Sequence, residues 1–272
     1  MANEFSQLQR PETEDQKLSR SIAFVVAYDG TDFCGSQRQT NGRSVQGDLE
    51  AALSVIFKTP VEVSMSSRTD GGVHATGNVG RFFTNHPILA QNIPFALNQV
   101  LERDVRVKSA WETDENFHPR HSARVRTYRY TIDNLAIENP LMRRFVGRVR
   151  GALDVEAMQS VCPSFVGVCD FASWQNAGSP PTGGTVRNMT QLEVAPRQDV
   201  FGSDVIDITM SANAFLYQMV RNVVGTLIEA GRGKLSAQDV VRLMDAKDRT
   251  LCPPPAPSQG LCLTHISFEE AK

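Results

Sequence analysis

The sequence predicts an α+β protein of two ferredoxin-like α/β halves, with largely antiparallel sheets joined around a central cleft. Two patterns carry this. Residues 22–111 read strand, helix, strand, strand, helix, strand, an order that lays helices on one sheet face and leaves the other free. Beyond residue 116 the same kinds of element recur without repetition of the sequence. At 272 residues the chain is long enough to bury about three quarters of its unfolded surface. We divide it into a polar tail (1–20), a first half (21–115) and a second half (116–272).

The tail lacks periodicity and mixes its charges, which predicts mobility. Ile22 to Ala27 is an apolar run of strand length, ended by Tyr28-Asp29-Gly30. Ser44 is placed as an N-cap, and Val45, Leu49, Ala52, Leu53 and Ile56 recur at helical spacing. Strands follow at 61–66 and 77–84. Pro94 opens a second helix with Leu97, Val100 and Leu101 inward, and Val105 to Trp111 alternates as a strand.

In the second half, Arg124 to Ile132 alternates as a long strand, with Arg124, Arg126, Tyr128 and Tyr130 on one side. Asp154 caps a helix that runs towards Pro163. A Gly/Pro-rich loop, Gly178 to Gly184, is long enough to be mobile. Strands at 186–194 and 204–212 precede the longest predicted helix, Asn213 to Ala230, ended by Gly231 and Gly233. Ser236 and Asp239 form a capping box for a helix over 237–246. Residues 253–257 (Pro-Pro-Pro-Ala-Pro) are a stiff connector to a final strand at 261–268.

Composition excludes several classes. A 41% hydrophobic and 21% charged chain is an ordinary globular protein. Five cysteines with no C-x-x-C pair point to a reducing cytosol rather than a disulfide framework. No apolar run is long enough to span a membrane, and no signal-peptide core precedes the fold. His118 and His121 stand three apart without a third ligand and read as ordinary residues at a strand start.

Net charge is −2, which argues against indiscriminate nucleic-acid binding. The distribution says more. Between His118 and Arg150 stand Arg120, Arg124, Arg126, Arg129, Arg143, Arg144, Arg148 and Arg150, against only Asp133 and Glu138. Such a stripe is either a phosphate-binding face or a solvated cationic surface. Interleaved Arg and Tyr on the 124–132 strand suit phosphate contact with base stacking, or else tyrosines buried in the core. A free sheet face of this kind is where RNA-recognition-like domains bind.

The stretch between the 61–66 and 77–84 strands reads Ser-Ser-Arg-Thr-Asp-Gly-Gly-Val-His-Ala-Thr (66–76). By turn chemistry alone, Asp70-Gly71-Gly72 is a turn. Arg68, two positions earlier, lets the same loop hold a cation beside a carboxylate. Arg68 to Ala75 also resembles the R-T-D-A-G-V-H-A signature of the tRNA pseudouridine synthase A family. Arg126-Thr127-Tyr128-Arg129-Tyr130 and Asn213 to Asn222 continue the likeness, as does Gly35-Ser36-Gln37-Arg38-Gln39. Gly71 stands where the family usually has Ala, Ser67 where it commonly has Gly, and Ser36 where an aromatic usually stands.

The resemblance implies that the cleft is catalytic. Asp70 would be the catalytic carboxylate, paired with Arg221 and neighboured by Arg68; together they would favour the ionised form. Tyr128 would stack on the flipped base, with Arg126, Gln37, Arg38 and His74 also at the RNA. It further implies a cytoplasmic homodimer that modifies uridines at nucleotides 38, 39 and 40 of the tRNA anticodon arm, one tRNA touching both subunits. The isomerisation needs neither metal nor cofactor. A non-catalytic RNA-binding module, and a synthase acting on another RNA, are the alternatives. A zinc-dependent deaminase is disfavoured, for no H-x-E with a C-x-x-C partner is present.

Overall fold

A computed structural model describes residues 20–40, 42–176 and 183–268. The predicted tail, apart from Arg20, and most of the predicted Gly178–Gly184 loop lie outside these. Ten strands form one sheet: β1 (Arg20–Tyr28), β2 (Ser64–Met65), β3 (His74–Thr84), β4 (Val105–Thr113), β5 (Val125–Asp133), β6 (Gly147–Arg148), β7 (Gly167–Asp170), β8 (Val186–Gln198), β9 (Asp204–Ala212) and β10 (Leu261–Ser267). The order is β4-β1-β3-β10-β5-β9-β8-β7, with β2 on β3 and β6 on β5.

The predicted α+β class and largely antiparallel pairing hold, and the two predicted sheets are fused. β10 joins them. It pairs antiparallel with β5 along most of its length, and parallel with β3 at only Cys262↔His74 and Leu263↔Ala75.

The helices are α1 (Val45–Phe57), α2 (Ile93–Val100), α3 (Pro119–Ser122), α4 (Val155–Val161), α5 (Met219–Gly231) and α6 (Ala237–Ala246). Their caps follow side-chain chemistry. Ser44, Asp154 and Ser236 accept from Gly47, Ala157 and Asp239 N–H, and Ser236 with Asp239 closes the capping box. The core spans both halves, from Ile22, Phe24 and Phe82 with α1 to Tyr130, Ile208, Met210 and Val224 in the second half. Each fully buried ring such as Phe24 or Phe82 contributes about 1.5–3 kcal/mol.

Four expectations are corrected. The 61–66 strand shrinks to β2, because Val63 N–H donates to Glu50 Oε1 (3.0 Å) and Val61 N–H to Ser54 Oγ (3.3 Å). Those donors serve α1 instead of a ladder. β3 starts at His74, earlier than expected, because β10 pairs there. Val100 is 42% exposed. The predicted 213–230 helix begins only at Met219: Gln218 takes a left-handed φ of 57°, and Asn213 Oδ1 accepts from Asn188 and Ala214 N–H, both at 2.9 Å. At 13 residues α5 equals α1 rather than exceeding it.

Candidate active site

The Asp70 loop leaves β2 and enters β3, and its backbone is tied down at almost every residue. Ser66 N–H donates to Val79 O (2.8 Å), and its hydroxyl to Pro119 O (2.7 Å). Buried Asn78 donates to Ser67 O at 3.0 Å. Thr69 is held at three atoms. Its N–H donates to Ser36 Oγ (2.8 Å), its carbonyl accepts from Ser36 N–H (3.0 Å), and its hydroxyl shares a hydrogen bond with Tyr28 OH (2.8 Å). Ser36, in the usual place of an aromatic, thus serves the loop from beneath.

Asp70 itself bridges Gly35, and its carbonyl accepts from Val73 N–H at 3.1 Å. The turn between them puts Gly72 at a φ of 78°, where any side chain is strained. Gly71 has no such constraint: an added Cβ would meet Cys34 at an ordinary 3.4 Å. The alanine expected from the resemblance would fit there.

Arg221 comes from the first turn of α5. Its Nε donates to Ala256 O (2.7 Å), and its own carbonyl accepts from Ala256 N–H (3.0 Å). The Pro-rich connector lies this close because residue 225, one turn on, is glycine; a Cβ there would stand 2.2 Å from Pro254 O. Anchored so, Arg221 Nη1 reaches Asp70 Oδ2 at 3.3 Å, joining residues 151 apart in the chain. The side chains are 16% and 26% exposed.

Burial pushes the Asp70 carboxyl above the ordinary carboxylate range, and Arg221 pulls it back only in part. Arg221 favours the ionised form, as expected, and desolvation outweighs it. Arg68 has no part in that balance. It is an exposed residue whose guanidinium pKa is lowered by partial desolvation and by the neighbouring charge of Arg120. A poorly hydrated carboxylate with one arginine contact is more basic than one in water, which suits a nucleophile or base.

Tyr128 lies close enough to Asp70 and Arg126 to feel both charges, and burial pushes its phenol far up. It is 7% exposed, with Phe215 edge-on to its ring at 5.1 Å. Phe215 was read from sequence as one more apolar residue of a helix. In the structure it precedes α5 and stands half-buried against Tyr128. Tyr28, read only as the end of a strand, supports the loop through Thr69. A hydroxyl closing an otherwise apolar strand was the available signal.

The remaining candidates separate. Gln37 and Arg38 are exposed beside Ser36, with Arg38 bound to Glu50 at 2.9 Å. Arg126 donates to the carbonyls of Arg120 (2.8 Å), Ala123 (3.2 Å) and Asn213 (2.6 Å). His74 is 4% exposed: Nδ1 accepts from Gly30 N–H (3.0 Å), and Nε2 donates towards Arg144 O (2.8 Å) and Gln259 O (3.1 Å). It braces three segments. His118 caps α3 and its ring lies tilted against that of His121 at 4.3 Å, so the pair belongs to a helical turn.

The arginine stripe is also broken up. Arg148 pairs with Asp133 (2.7 Å), Arg144 with Asp32 (3.5 Å) and Arg129 with Asp207 (3.8 Å). Among the described residues, Arg120, Arg124, Arg143 and Arg150 remain exposed with no acid in salt-bridge reach. No helix among the described residues is long and apolar enough to cross a membrane, and no three His, Cys, Asp or Glu side chains there gather as a metal site.

A conserved-family profile described as tRNA pseudouridine synthase matches residues 24–122 and 161–269, the segments that hold both the Asp70 loop and α5. The chain belongs to this family. Its relatives include the tRNA pseudouridine synthase A of Roseiflexus sp. (strain RS-1), 41% identical over 254 residues covering 92% of each chain. That of Geobacter sulfurreducens is 38% identical over 249 residues, covering 92% of this chain and 100% of the relative. The Thermoanaerobacter sp. (strain X514) protein of the same name is 37% identical over the same length and coverage.

Proposed function

We propose that this protein isomerises uridine to pseudouridine in the anticodon stem-loop of tRNA, at nucleotides 38, 39 and 40. The reading includes a cytoplasmic homodimer with one tRNA spanning both subunits, and a chain divided into halves 21–115 and 116–272. The observation that carries it is the Asp70–Arg221 pair, a half-buried carboxylate held by one arginine contact from the far end of the chain. Family membership supplies the substrate class.

The reaction breaks the N1–C1′ bond, turns the base and forms C5–C1′; C5 loses a proton and N1 gains one. The target must first leave the stack, at a cost of a few kcal/mol that phosphate contacts and restacking offset. Tyr128 is the stacking candidate, with Phe215 fixing its ring edge-on. Asp70 would attack C1′, add at C6 or remove the 2′-proton. Each step needs it ionised, which Arg221 favours, and burial leaves it poorly hydrated. Arg120 and Arg68, on the rim, meet the backbone beside the flipped nucleotide, with Gln37 and Arg38 on the neighbouring loop.

The test is incubation with unmodified tRNA carrying C5-tritiated uridine, without added metal, followed by pseudouridine mapping. Wild type should release tritium at the three nucleotides, and Asp70→Asn should release none while binding tRNA within about tenfold, or roughly 1.4 kcal/mol. Tritium release by Asp70→Asn would remove the carboxylate from the chemistry. Binding without turnover by wild type would make the protein an RNA-binding module.

A further inference from the structure

Arg249 stands just ahead of the Pro-rich connector, and its guanidinium is bound to the start of α5. Nε donates to Asn176 Oδ1 (2.8 Å), Nη2 to Asn222 Oδ1 (2.8 Å) and Nη1 to Cys252 O (3.0 Å). These three acceptors are neutral oxygens. A planar fork of donors that fits one carboxylate here bridges two carboxamides.

Asn222 is fully buried on the first turn of α5, next in the chain to Arg221. Its Nδ2 donates to Trp174 O (2.7 Å) and Asn176 Oδ1 (3.0 Å), so both polar atoms of its carboxamide are in use. Asn176 in turn donates to Gln218 Oε1 (2.6 Å), the left-handed residue at which α5 begins. The segment from Arg249 to Ala256 is thus clipped to one helical turn at both ends. Arg249 holds Asn222 at its start, and Ala256 exchanges two bonds with Arg221 at its finish. The Arg221–Asp70 contact, at 3.3 Å, stands just beyond the ordinary range of about 2.7–3.2 Å, so a small rotation of that turn opens it.

We propose that Arg249 is a positioning residue: by locking Asn222 and Asn176 together it fixes the turn of α5 that aims Arg221 at Asp70. The first turn of a helix is its least constrained, because its leading N–H groups lack intrahelical acceptors, and the fork is applied there. The effect of Arg249 passes to the carboxylate through Asn222 and Arg221. Without its donors, Asn222 Oδ1 would be left buried and unpaired, and the turn would be free to settle elsewhere. The part of the inference that concerns rate rests on the proposed uridine isomerisation.

Arg249→Met keeps most of the stem and removes every donor. In the folded variant, single-turnover tritium release should fall about tenfold, the scale of one charge-assisted hydrogen bond, with tRNA affinity unchanged. A second readout is independent of turnover. The Asp70 carboxyl is titrated by 13C NMR, its signal assigned by its loss in Asp70→Asn. Because Arg221 offsets the burial of Asp70, Arg249→Met should raise that pKa by roughly one unit, the lower end of what one nearby opposite charge supplies. Arg148→Ala, which destabilises the sheet elsewhere, should leave it in place. Arg249→Lys keeps the charge without the fork and should show the same two changes; it decides the question if Arg249→Met does not fold. An unchanged rate or an unmoved titration in a folded variant overturns the proposal, as does an equal shift in Arg148→Ala. Weakened tRNA binding with undiminished turnover of bound tRNA would overturn it too, and make Arg249 a phosphate contact. If wild type itself releases no tritium, the functional reading fails, while the titration still decides whether Arg249 positions Arg221.

Discussion

Gly225→Ala tests whether the Pro-rich connector holds Arg221 on the carboxylate. By helix propensity alone the change on α5 should stabilise by about 1 kcal/mol. The structure opposes it, because the new Cβ would sit 2.2 Å from Pro254 O, where ordinary contact begins near 3.4 Å. The connector must therefore retreat by roughly an ångström, at an overpacking cost of about 1–3 kcal/mol. Retreat also stretches the Arg221–Ala256 bonds, of which the charged one is worth about 1.5–3 kcal/mol. The balance is a loss of about 2 kcal/mol, or roughly 4–8 °C in Tm. Urea unfolding measures the first effect. Tritium release under conditions where the variant is fully folded measures the second, and it should fall at least tenfold while tRNA binding survives. A variant more stable than wild type, with full turnover, would refute the argument: the connector would then be free to move, and Arg221 would not depend on it.

Because burial raises the Asp70 carboxyl, the acidic limb of the rate–pH profile should lie above the ordinary value of 3.8; a limb at or below it would contradict the burial argument. The same sign has a stability consequence. The protonated group is the one the fold tolerates, so stability falls as pH rises through the raised pKa, and Asp70→Asn should unfold no earlier than wild type at neutral pH. For tRNA binding, Arg120→Ala should reduce the salt dependence by roughly 0.7–0.9 log units per log unit of salt. Arg148→Ala should leave that slope unchanged, while stranding buried Asp133 and lowering the unfolding midpoint. Tyr128→Phe should keep tRNA binding, and Tyr128→Ala should weaken it by about 1–3 kcal/mol if the ring stacks; equal binding by both would assign the ring to core packing.

The parts of the fold legible in the sequence were those governed by short-range chemistry. Ser44, Asp154 and Ser236 announced their helices because a capping bond spans only three residues, and α6 falls on its predicted limits. Errors arose where distant groups competed. Val61 and Val63 alternate like a strand, but Glu50 and Ser54 on α1 take their N–H groups. Phe215 and Leu216 continue the apolar pattern of α5, yet Asn213 is bound to Asn188 and Gln218 turns left-handed. Arg126 reads as a phosphate ligand until three carbonyls, two from the α3 turn and one from Asn213, claim it. At the site, the Asp70 loop was visible as a motif. Its pairing with Arg221 came from resemblance alone, since no periodicity links positions so far apart, and the depth of the carboxylate is a property of packing.

β10 follows in the chain every strand that it joins, and this makes assembly of the site a late event. During synthesis β3 and β5 are complete long before residues 261–267 emerge, and each then shows an unpaired edge to other chains. Closing the sheet fixes His74 and Ala75 against β10, just beyond the Asp70 turn. The connector that anchors Arg221 immediately precedes that strand. One docking event therefore protects both edges and brings cation to carboxylate, so a nascent or frayed chain is inactive as well as aggregation-prone. The joint to β3 rests on two residue pairs, and it is where hydrogen exchange should first report opening.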